Sequence, residues 1–135
     1  MGKTIVMHID EAPWVYGGPP AEEGHKNGGG QLVGDIEKGP WIHINWVPPG
    51  NYTPPHSHNQ DEVMYIIEGG LTMGDRFCGP GTVVFIERGT DYDFTVGDQG
   101  VRFLNIRSGQ ATITMDGKTH NPYDKADFEQ LQKRL

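Results

Sequence analysis

Apolar and polar positions alternate along most of this chain. In residues 41–47, Trp-Ile-His-Ile-Asn-Trp-Val, the side chains of Ile42, Ile44 and Trp46 fall on one face and those of His43 and Asn45 on the other. A period of two marks a strand. Comparable short runs lie at 3–9, 31–36, 62–68, 71–77, 82–87, 92–96, 101–107 and 110–115, most of them ended by Gly, Pro or both. The pattern predicts eight to ten short strands, with Asp116-Gly117 as a hairpin turn. The period changes near the end. Asp124 can cap a helix over about 125–134, with Asp127 near its start, Lys133-Arg134 at its end and Phe128, Leu131 and Leu135 on one stripe. Residues 17–30 hold six Gly and two Pro and read as a flexible loop, either a plain connector or a lid over a site.

Composition narrows the picture. At 135 residues the chain is expected to form one domain over 1–135, with a core at 31–108 and a terminal helix at 124–135. Its 20 Gly and 10 Pro demand many tight turns and point to an all-β sandwich or barrel. A net charge of −7 argues against nucleic acid and anionic membrane surfaces as partners. No apolar run approaches the roughly 20 residues of a membrane helix. The lone Cys78 permits no intrachain disulfide and suits a reducing compartment, so a cytoplasmic location is expected.

The chemistry concentrates in Gly50-Asn-Tyr-Thr-Pro-Pro-His56-Ser-His58-Asn-Gln-Asp-Glu62 and the strand that follows, up to Gly69. On a strand, His56 and His58 share a face, about 6.6 Å apart along the chain. A turn brings Glu62 alongside. Two neutral imidazoles and a carboxylate make a ligand set for a divalent transition metal.

The spacing G-x5-H-x-H-x3-E-x6-G resembles the first motif of the cupin family. The resemblance covers roughly Gln31 to Ser108 and implies a double-stranded β-helix, the jelly-roll cupin barrel, with a metal held in its mouth by His56, His58 and Glu62. It also implies pairing into a homodimer, with the first strand and the C-terminal helix as pairing elements. The family's second motif aligns with Gly81-Thr-Val-Val-Phe-Ile-Glu87-Arg-Gly89-Thr-Asp-Tyr92-Asp-Phe-Thr-Val96. Glu87 stands where Pro is usual, Val96 where Asn is usual, and Tyr92 where the family places its last metal-binding His.

Three roles for Tyr92 stay open: barrel packing, an acid–base group acting on substrate, or a phenolate ligand whose pKa a metal would have to lower. His43, Met64 and Phe94 are expected to line the cup as substrate-binding residues, although His43 also suits a plain surface or hydrogen-bonded histidine. Arg102 and Arg107 flank an apolar strand. Either could meet a substrate carboxylate, but solvated arginines are the expectation. The resulting reading is a metal-dependent cupin using iron, manganese or nickel ahead of zinc or copper. It would act on a small chelating organic molecule, by an oxygenase-type reaction first. A metal-dependent isomerase or lyase with Tyr92 as acid or base, and a non-catalytic ligand-binding module, are the alternatives.

Overall fold

The computed structural model describes residue 2 and residues 4–17, 27–35 and 38–134. Ten strands follow one another: β1 (Trp14–Gly17), β2 (Gly28–Asp35), β3 (Lys38–Val47), β4 (Tyr52–His58), β5 (Glu62–Met73), β6 (Arg76–Cys78), β7 (Val83–Ile86), β8 (Tyr92–Arg107), β9 (Ile113–Met115) and β10 (Lys118–His120). One helix, α1 (Lys125–Gln132), closes the described chain.

Two long strands carry the architecture. The first part of β5, from Glu62 to Gly69, pairs with the second part of β8, from Val101 to Arg107. That part of β8 also pairs with β3, whose other neighbour is β2, and the same part of β5 carries β7. Beyond the glycines the strands enter a second set of pairings. The end of β5 binds β6, and the start of β8 binds β4, which carries β9. The sheet therefore curls on itself as a jelly roll. Its hinge is Gly69 against Gly100, both at positive φ (68° and 71°). A Cβ on Gly69 would lie 1.9 Å from the Gly100 carbonyl oxygen, so the two backbones approach as only glycine allows.

Alternation fills the interior. Glu62, Met64 and Ile66 point inward from β5, and Val101, Phe103, Asn105 and Arg107 from β8. The main core is Val47, Met64, Ile66, Leu71, Cys78, Phe94, Val96, Val101 and Phe103. Burying each large side chain contributes about 1.5–3 kcal/mol. A second cluster joins Ile113 and Met115 to Phe128 and Leu131 of α1. The helix starts as its sequence predicts, with the Asp124 side chain accepting from the Asp127 amide at 3.0 Å.

Several boundaries differ from the sequence reading. The described part of the run at 3–9 is not a strand: residues 4–8 have no regular structure and Ile9–Glu11 form one 3-10 turn. Among the described residues no strand pairs with this run, and Val6 lies 91% exposed. Gly28–Gly30 are part of β2 and not of a loop; Gly30 is small because a Cβ there would lie 2.8 Å from that of Ala12. Residues 18–26 of the expected flexible loop lie outside the described residues. Strands thought to end at Gly69 and Gly97 continue through them, since glycine bends a ladder here without ending it. No helix among the described residues is long and apolar enough to cross a membrane.

Candidate active site

A cavity of about 100 Å³ opens at the mouth of the barrel. Its apolar wall includes Trp46, Met64, Phe94, Phe103, Ile113 and Phe128, and its polar wall Asn45, His56, His58, Tyr92, Asn105 and Arg107.

The two motif histidines come from β4, where the Pro54-Pro55 pair interrupts the ladder to β8 between Thr53 and His56. His56 pairs directly with Tyr92 across the strands, and their rings lie 4.3 Å apart. Nδ1 of His56 stands 2.8 Å from the Pro54 carbonyl oxygen, and Nδ1 of His58 stands 2.9 Å from that of Thr112. A carbonyl can only accept, so each Nδ1 carries the proton and each Nε2 is left as an acceptor. Burial keeps both rings neutral. It lowers the pKa of His56, and burial followed by the charge of Arg107 lowers His58 to about 4.

Glu62 begins β5 and is 1% exposed. It is absent from the cavity wall and lies behind Tyr92 and Arg107. Its Oε1 accepts from the Tyr92 hydroxyl at 2.9 Å. Its Oε2 accepts from Nε of Arg107 at 3.0 Å and also from Nη2. Burial alone would raise the carboxyl pKa, but the guanidinium outweighs it and holds the group at about 2. Burial likewise works against the charge on Arg107, and Glu62 restores it, so the guanidinium is held above its ordinary value.

The Tyr92 oxygen also stands 3.2 Å from Nε2 of His58, and Arg107 Nη2 lies 3.5 Å from that same nitrogen. One phenolic proton thus faces two acceptors, Glu62 Oε1 and His58 Nε2, both fixed by further hydrogen bonds.

The structure gathers His56, His58, Glu62 and Tyr92 at one point, and places Met64 and Phe94 in the cavity wall. His43 is 1% exposed and not in that wall. It packs edge-on to Tyr123, with centroids 6.5 Å apart, and burial, then Arg107, lowers its pKa to about 3. Arg107, expected to be solvated, is 7% exposed. The overlooked signal was phase: Arg107 is two residues beyond Asn105 and four beyond Phe103, on the inward side of β8. Arg102, one step out of phase, does face outward and pairs with Glu68 at 3.2 Å and Asp10 at 3.4 Å. Tyr123, just before α1, also went unnoticed; it sits against Trp41 with centroids 5.1 Å apart.

The fit of a metal divides along the same line. His56 and His58 suit one, because metal-binding imidazoles tie their second nitrogen to a carbonyl as these do. Glu62 does not complete the set. Both its oxygens are engaged, one by a permanent cation that a divalent ion would have to displace. No three His, Cys, Asp or Glu side chains among the described residues close into a metal-binding group.

The fold has clear counterparts. The polyketide cyclase RemF from Streptomyces resistomycificus is 25% identical, with 91% of each chain covered and a TM-score of 0.63. An RmlC-like cupin from Ralstonia eutropha JMP134 is 18% identical over 97% of this chain and 87% of its own, at 0.69. A putative acetylacetone dioxygenase from Methylibium petroleiphilum PM1 is 19% identical over 87% and 86%, at 0.65. No family model matches the sequence, and no curated protein does. The chain has the cupin fold and forms a single cupin barrel.

Proposed function

We propose that this chain is an enzyme performing acid–base chemistry on a small, largely apolar organic molecule, with Tyr92 as the proton-handling group. The observation that carries the reading is the Tyr92 hydroxyl, which lines the cavity while its one proton faces both Glu62 Oε1 and His58 Nε2. A phenol so placed can give its proton to a substrate oxygen while Nε2 of the neutral His56, also in the cavity wall, takes the proton from the adjacent carbon, the pairing general acid–base catalysis requires. The charges suit an uncharged substrate: Arg107 and Glu62 neutralise each other and both motif histidines are neutral. The aromatic wall and the likeness to a polyketide cyclase favour an enolisable aromatic ketone or phenol, transformed by cyclisation, isomerisation or elimination.

The test is exchange of α-protons in aryl ketones such as 1-tetralone, followed by NMR in D₂O. Wild type should accelerate exchange, and Tyr92→Phe should lose the acceleration by about 10²-fold or more. Equal rates in the two proteins would overturn the reading.

The unprotonated Nε2 atoms of His56 and His58 and the likeness to a putative dioxygenase favour a second reading, a metal-dependent oxygenase. In it His56, His58 and Glu62 would hold one divalent ion, iron, manganese or nickel before zinc or copper, which would supply Lewis acidity or O₂ activation. It requires that Arg107 release Glu62. About one metal per purified chain, measured by mass spectrometry and lost in His56→Ala/His58→Ala, would support it, and metal-free protein would count against it.

A further inference from the structure

We infer that Arg107 is the resident cation of this site and that its guanidinium holds, against Glu62, the place a divalent metal would otherwise take. Four observations converge. Glu62 is buried behind the cavity wall and not offered to it. Its Oε2 is gripped by two guanidinium nitrogens and its Oε1 by Tyr92. The position that would supply a further imidazole holds Tyr92, whose hydroxyl donates to the carboxylate. Arg107 itself lines the cavity and reaches to 3.5 Å from Nε2 of His58, so its charge already occupies the junction between the imidazoles and the carboxylate.

Arginine suits this place in a way lysine would not. Its planar fork binds one oxygen through two nitrogens, and it stays charged at any working pH. A cation built into the chain needs no uptake from the surroundings and cannot be removed by a chelator. Its charge also helps to keep His58 neutral. The inference deepens the acid–base reading, since the guanidinium faces the same cavity as Tyr92, but it is read out by metal binding and not by turnover.

The experiment is calorimetric titration of chelator-treated protein with Zn²⁺, with Mn²⁺, and with Fe²⁺ under argon, in wild type, Arg107→Gln and Arg107→Gln/His56→Ala/His58→Ala. The expected result is no saturable site of one metal per chain in wild type. Arg107→Gln should gain such a site at least about 10²-fold tighter than any wild-type binding, and the triple variant should lose it. One equivalent bound tightly by wild type would overturn the inference, as would a folded Arg107→Gln that stays empty. If Arg107→Gln does not fold, the wild-type titration alone decides. A metal-binding wild type that still exchanges ketone protons through Tyr92 would sink the role of Arg107 and leave the acid–base reading standing.

Discussion

The hydroxyl of Tyr92 donates to Oε1 of Glu62 at 2.9 Å across 30 residues of sequence, joining the start of β8 to the start of β5. A hydrogen bond to a buried carboxylate is worth more than a neutral one, about 1.5–3 kcal/mol. Tyr92→Phe should therefore lower stability by that amount in urea denaturation while leaving the circular dichroism spectrum of the barrel intact. An unchanged midpoint would mean the bond is not formed in solution.

The Glu62–Arg107 pair should behave as a unit. Arg107→Met leaves a carboxylate buried without its partner and should cost about 3–5 kcal/mol, whereas Glu62→Leu/Arg107→Met should recover most of that loss. The double-mutant cycle tests this directly. Additive losses would show that the two side chains do not meet.

Stability should fall in mild acid. His43 and His58 have folded pKa values of about 3 and about 4, against 6.5 unfolded, so below pH 6.5 the unfolded chain takes up protons that the folded chain refuses. Folding free energy should be flat above that pH. From there toward pH 4 it should drop by up to about 1.4 kcal/mol per unit for each histidine. Glu62 acts in the same direction lower down: its contribution is complete above its unfolded value of 4.5 and is lost as pH falls toward about 2. Equal urea midpoints at pH 7.5 and 5 would contradict the burial of both rings.

Two glycines of the first motif should respond differently to alanine. Gly50 and Gly69 both have positive φ, but nothing lies within 4 Å of a Cβ on Gly50. Gly50→Ala should cost about 1–2 kcal/mol of backbone strain. Gly69→Ala must in addition push β5 away from the Gly100 carbonyl, and should cost clearly more or prevent folding. Comparable thermal midpoints for the two variants would refute the close approach.

The sequence carried the barrel and its motif because both depend on local regularity. His56, His58 and Glu62 lie within seven residues, and alternation marks most of the strands without knowledge of their partners. What stayed hidden depends on distant pairing. Gly69 and Gly97 look like stops until β5 and β8 are laid side by side, when Gly69 and Gly100 become the bends of continuous strands. The apolar run at 3–9 reads as a strand, yet pairing decides the outcome and no described strand pairs with it. Arg107 looks like a solvated charge because nothing within 40 residues of it is its counter-ion. Only the strand register brings Glu62 opposite it.

The short helix α1 has a practical consequence. Phe128 and Leu131 form part of the cavity wall. Behind them Asp127 binds Nδ1 of the fully buried His120 at 2.6 Å and the Asn121 amide at 2.6 Å. The cavity thus borrows one side from a segment of eight residues held by the apolar cluster with Ile113 and Met115 and by the contacts of Asp127. A label or cross-link placed on α1 would pull on that side, and comparative assays of this protein are best carried out with the helix left unmodified.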